Sequence, residues 1–278
     1  MTAFTAFVAA AIMAFLLYKF GGYALAALLL LALLLIIRSY RKGTKDAKEI
    51  KEEISLMRSE SSSIQGIIEE SSINVSSVMK RGSKLLTNTL DGLAKQDLKA
   101  LKDAREYGEK LTDEMDSLKS HVFFYIQNLD EDSTAASKFY LMIQDSLEDL
   151  VQSFTFITKT SYKHLKNNHK GLRFNQIRDL KEVEGRLNEL FGKVKKEFDA
   201  QDFDNLPKII DEKENFLAYL SEEIEKQIQR SKDPESSAKN TSLYFSILLE
   251  CKDLVEGTTT LLEQYYKEYH ASKDAEIL

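Results

Sequence analysis

The chain has 278 residues, 43% hydrophobic and 29% charged, with a net charge of −6 and one cysteine. An acidic balance argues against nucleic acid as a partner, and the lone Cys251 excludes an internal disulfide. With only 11 Gly and two Pro, and ample Glu, Lys, Leu and Ala, the composition favours long helices around a sizeable core.

Residues 3–18 and 20–37 carry no charge, and Lys19 divides them. At about 1.5 Å per residue the second run spans roughly 27 Å, near the hydrocarbon thickness of a bilayer. Two readings stay open for a membrane segment over 1–42. One is a helical hairpin turning at Lys19-Phe20-Gly21-Gly22. The other is one firm span over 20–40 preceded by a shorter apolar piece. No basic residue precedes the first run, which argues against a cleaved signal peptide. Lys19, Arg38, Arg41 and Lys42 flank the apolar runs. The positive-inside rule places the last three, and the chain beyond them, on the cytoplasmic side. All 44 acids but only 34 of the 38 bases come after residue 42, so the remainder is strongly acidic.

Residues 43–60 read as a charged linker or helix with a solvated face. Ile64, Ile67, Ile68, Val75, Val78, Met79, Leu85 and Leu86 then recur at helical steps, predicting an amphipathic helix that reaches Leu93. Its serines, Ser61 to Ser77, are small enough to permit close helix contact, but read first as a solvated face. A second helix runs from about Asp97, which caps it, to Leu129. After a turn at Asp130–Ser133, a third carries the stripe Phe139, Ile143, Leu147, Leu150, Phe154 and Ile157. Gly171 is the expected left-handed stop. A fourth helix covers about 175–199, Asn205-Leu206-Pro207 opens a fifth, and Asp233-Pro234 a sixth. Residues 271–278 form a tail.

The third helix returns. Residues 139–162 recur 104 positions later as 243–266, with seven identities in 24 positions, among them Tyr140/Tyr244, Leu150/Leu254 and Tyr162/Tyr266. Asp97, Leu101 and Glu109 recur at an offset of 105 as Asp202, Leu206 and Glu214. Two echoes at nearly one offset indicate an internal duplication. The fold class is therefore all-α: a transmembrane segment, then a pair of three-helix bundles formed by the repeats 61–171 and 172–270, with Leu150 and Leu254 as core equivalents. Cys251 lies among apolar positions and reads as a buried, inert thiol. His121, His164, His169 and His270 show no metal-ligand or triad spacing. No Gly-rich phosphate loop or nucleophile motif is present, so the chain does not read as an enzyme.

Two three-helix repeats, the run DGLAKQDLKALKDAREYGEKLTDEMD and the third-helix LEDLV together resemble PhoU, the bacterial phosphate-regulatory protein. FITKTSYKHLKNNHKGL and KNTSLYFSILLECKDLV bring the chain closer to the cytoplasmic PhoU-like domain of PiT-type inorganic phosphate transporters. The resemblance covers about 60–268. It implies a membrane-anchored part of a phosphate transport system in the bacterial inner membrane, with a cytoplasmic regulatory or assembly domain. Its partners would be inorganic phosphate through that system, and a multi-span transporter subunit or a second copy of the chain. The alternative is a membrane-anchored helical adaptor or signalling protein unrelated to phosphate.

The resemblance also implies metal clusters held by Glu-x-x-x-Asp motifs with acids of the third and sixth helices. Glu109 and Asp113 match that motif, and Glu148 supplies a third acid. The second repeat keeps Glu214 and Glu256 but has Ala218 for an acid, and Gln152 stands where the family has Asp. Three carboxylates hold at most one weakly bound divalent ion, with water completing about six ligands. Between the repeats, Lys163, Lys166, Lys170 and Arg173 form a basic patch. It reads either as an anion site or as charge placed at helix ends.

Overall fold

The computed structural model describes residues 19, 56, 63–127, 134–233 and 236–277. Among them lie seven helices and no strand: α1 Ile64–Lys95, α2 Leu98–Gln127, α3 Thr134–Lys166, α4 Phe174–Ala200, α5 Leu206–Ile210, α6 Lys213–Ser231 and α7 Ala238–Ile277. The expected membrane segment and most of the charged linker lie outside the described residues. Of these stretches, Lys19 is an exposed helical residue and Leu56 is partly buried against the core. Among the described residues no helix is long and apolar enough to cross a membrane.

Helix ends follow local chemistry. Ser63 Oγ accepts the Gly66 amide at 3.1 Å and starts α1. Gln96, left-handed at φ 52°, ends it: the Gln96 amide bonds the Leu93 carbonyl and the Asp97 amide bonds the Gly92 carbonyl. The same motif closes α4 at Gln201, with Gln201 to Phe198 and Asp202 to Glu197, each partner 105 residues on. Asp97 then caps α2, its Oδ1 accepting the amides of Lys99 and Ala100 at 3.0 Å.

Some boundaries differ from expectation. Asn168, not Gly171, takes the left-handed turn after α3, at φ 54°; a short polar side chain tolerates that region. Gly171 lies against the side chain of Gln96, whose Nε2 a Cβ there would approach to 2.5 Å. The fifth helix is broken. Pro207 starts only the five residues of α5, and the chain turns at Asp211 and Glu212 before α6, where the first repeat has the unbroken α2. The last helix starts later than Asp233-Pro234, with Ser237 Oγ accepting the Asn240 amide at 3.3 Å.

Residues 55–278 form one compact unit with one hydrophobic core shared by both repeats. α1 runs antiparallel to α4, joined by Ser76 to Asp199 and by Asn188 to Thr87. α3 runs antiparallel to α7, with Phe139 edge-on to Tyr265 at 5.3 Å and Ser146 bonded to Gln264. α2 lies outside α1 and α3, and α6 outside α7. The duplicated stripe is the centre: Tyr140/Tyr244, Ile143/Ile247, Leu150/Leu254 and Val151/Val255 are all at most 1% exposed. Burying each such side chain contributes about 1.5–3 kcal/mol.

The middle of the serine face of α1 is buried, while Ser63 is exposed and Ser77 half-buried; Ser61 and Ser62 lie outside the described residues. Ser71, Ser72 and Ser76 are buried with Asn74, and Ser71 shares a hydrogen bond of 2.5 Å with the Tyr265 hydroxyl. Short polar side chains let α1 close on α4 and α7 while keeping their own hydroxyls bonded.

Candidate functional site

The acids expected to bind metal stand either in ion pairs or in solvent. Glu109 pairs with Arg105 at 3.6 Å one turn earlier on α2, and Asp113 is exposed. On α3, Glu148 accepts from Lys119 Nζ at 2.6 Å and from Gln152 Nε2 at 3.2 Å. Hydrogen bonding to Glu148, then its charge, raises the Lys119 pKa, so the ammonium stays where a cation would sit. In the second repeat Glu214 is exposed and Glu256 pairs with Lys252 at 3.5 Å. No group of three or more His, Cys, Asp or Glu that could hold a metal ion occurs among the described residues. The spacing of Glu109 and Asp113 was legible in sequence; the closing of Glu148 by Lys119 was not.

Beside that ion pair, between α2 and α3, lies a cavity of about 270 Å³ lined by Val122, Leu141, Met142 and Gln144 with the Lys119–Glu148 pair. Gln144 is only 4% exposed, and neither its amide nitrogen nor its oxygen is bonded. It is an orphaned polar group in an otherwise apolar stripe.

The second half holds a buried polar layer. Asp179, on α4, receives Arg178 at 2.9 Å and Arg230 from α6. Glu223 receives Lys226 at 2.7 Å, and Glu184 receives Lys181 at 2.6 Å. Gln176 donates to Gln227 at 3.3 Å and Gln227 to Thr241 at 3.4 Å. Burial, then the charge of Glu223, pushes the Tyr244 phenol up. Each buried acid has a cation, as buried charge requires, so the layer ties α4, α6 and α7 together. Burial likewise raises the Cys251 thiol, which keeps it protonated and unreactive.

Of the four bases of the expected anion site, Lys163, Lys166 and Lys170 are exposed. Arg173 pairs with Asp233 at 3.2 Å. His164 Nε2 lies 2.9 Å from the Lys170 carbonyl and ties the loop down. A cavity lined by Arg173, Arg230, Gln176, Gln227, Ser236 and Asn240 measures about 20 Å³, room for a water but not for a phosphate. Of the four bases only Arg173 lines that cavity; Lys163, Lys166 and Lys170 cover a surface. What sequence reasoning missed on this surface is Phe174, the first residue of α4, which is 84% exposed. An aromatic residue directly after a basic run was the available signal.

Set against family models, curated proteins and solved structures, the chain matches none.

Proposed function

We propose that the protein is a membrane-anchored component of an inorganic phosphate transport system, its helical part a PhoU-like regulatory or assembly domain on the cytoplasmic side. The observation that carries this reading is the duplicated register: left-handed stops at Gln96 and Gln201, and one buried stripe on both α3 and α7. A pair of three-helix repeats is the architecture that the resemblance to PhoU implies. The uncharged run 20–37 followed by Arg38, Arg41 and Lys42 supports the anchor. In this reading the domain works by changing its packing against a multi-span transporter subunit or a second copy. It performs no bond chemistry, and Asp179, Glu184 and Glu223 are held by Arg230, Lys181 and Lys226.

The test is uptake of labelled phosphate by cells lacking the gene and by the same cells given back the full chain. An altered rate that the full chain restores is expected. Unchanged uptake would leave a membrane-anchored adaptor with no tie to phosphate. Sidedness is read from Ser59→Cys, which an impermeant thiol reagent should not label in intact cells; labelling would place the domain outside.

A further inference from the structure

Three connections meet at one end of the helices. Gly171, between α3 and α4, lies against Gln96, between α1 and α2. Asn240, at the start of α7, donates to the Gly171 carbonyl at 2.7 Å, and Arg173 reaches Asp233, just past α6, at 3.2 Å. Phe174 stands on this surface, 84% exposed, the most exposed large hydrophobic among the described residues. Leu98, opening α2, and Ile228, near the end of α6, are 42% and 44% exposed.

The same end is basic. Lys99, Lys163, Lys166 and Lys170 are exposed and make no ion pair among the described residues; Lys166 lies over the Tyr162 ring at 5.6 Å. Asp97 is occupied in capping α2, Asp233 is paired with Arg173, and Asp91 is paired with Lys95. Over the three connections and their flanking turns, residues 91–100, 163–176 and 228–240, nine Lys and Arg stand against four Asp and Glu, a positive excess on a chain whose net charge is −6.

We infer that this end docks on the surface of an anionic lipid bilayer, with Phe174 at the boundary of headgroups and acyl chains and the lysines over anionic headgroups. Charge complementarity chooses the occupant. The cytoplasmic leaflet is negative and attracts clustered lysines. An exposed ring at the same helix end as long cationic side chains suits an interface that is apolar below and charged above. A protein partner would ask for a flatter, well-packed apolar centre. The inference rests on the membrane-anchored half of the proposed function, because an anchor holds the domain at high effective concentration near lipid. It is independent of the phosphate half.

The chain contains no Trp, so Phe174→Trp supplies a single reporter at a site already open to solvent. The full-length variant is reconstituted into vesicles of phosphatidylcholine, or of phosphatidylcholine with phosphatidylglycerol, and flotation is read separately. In the anionic vesicles emission should move to shorter wavelength and be quenched by brominated lipid. In the zwitterionic ones it should do neither, and high salt should reverse the effect. Changing Lys163, Lys166 and Lys170 to Gln should lower the docked-to-free ratio about a hundredfold with helix content unchanged. Emission that is alike in both vesicles and open to aqueous iodide, in a chain that floats, overturns the docking and leaves the anchor standing. A chain that fails to float overturns the anchor and the docking with it. A shift caused by soluble polyglutamate and not by phosphatidylglycerol also overturns the inference, making the pole a contact for an acidic protein.

Discussion

Ser83 on α1 donates a 2.6 Å hydrogen bond to Asn188 on α4, and Asn188 is the residue 105 positions on from Ser83. The two halves of the chain thus meet at equivalent residues, as the subunits of a two-fold dimer do. α3 and α7 repeat the relation within a turn: a Cβ on Gly257 would lie 3.2 Å from Leu150, whose own equivalent is Leu254.

Equivalent positions carry different chemistry, and their costs should differ accordingly. Arg81 is 4% exposed and gripped by both Glu114 oxygens at 2.7 and 2.9 Å. At the positions 105 on, Arg186 lies over the Tyr219 ring, 3.8 Å from its centre, and is half exposed. Glu114→Ala strands a buried guanidinium and should cost about 3–5 kcal/mol in urea unfolding. Arg186→Ala should cost about 1 kcal/mol. Equal costs would mean that Arg81 finds another partner when Glu114 is gone.

Gln144 sits where the second half has Leu248, and both are buried. An amide with no partner forfeits its hydration for nothing, so Gln144→Leu should stabilise the fold by about 1–3 kcal/mol. Thermal and urea unfolding measure this. A loss of stability would show that the amide is bonded in solution.

Gly82 is small because of Phe154: a Cβ there would lie 2.1 Å from Phe154 Cε2. The equivalents are Leu187 and Thr258, so the bulk changes helix between the halves. Gly82→Ala should cost about 1–3 kcal/mol through overpacking, although alanine is the better helix former. Adding Phe154→Leu should recover part of that loss. Purely additive losses would show that the ring is not the obstacle.

His164 gives the fold a pH dependence. Burial lowers its pKa below the usual 6.5, and His169, its ring 5.1 Å away, lowers it further, against the opposing bond to the Lys170 carbonyl. A histidine depressed in the folded state binds its proton more readily when unfolded. Its contribution is therefore present above pH 6.5 and is lost as pH falls through the folded value. Unfolding free energy should decline from pH 7 towards pH 5, and His164→Gln should flatten that decline. NMR titration placing the His164 pKa above 6.5 would refute the assignment.

The fold was largely written in periodicity. The stripe from Phe139 to Ile157 is buried throughout, and Asp97 caps as its residue type suggests. What escaped were features decided by distant partners. Ser71 and Ser76 of α1 look solvated in sequence and are buried because α7 and α4 approach them. Pro207 suits a first turn, but nothing nearby announces the break at Asp211 and Glu212. The candidate sites were less legible still. The spacing of Glu109 and Asp113 is right for a shared cation, but only the packing of α2 on α3 shows that Lys119 reaches Glu148 first.

A dimer of one short chain would carry identical residues at its two poles. Here α1 and α4 run in opposite directions, so their first turns lie at opposite ends, and the equivalent of Phe174 on α4 is Glu69 on α1. Joining the halves in one chain lets the two poles carry different residues, an exposed Phe174 at one and Glu69 at the other. The domain therefore has a front and a back along its helix axis.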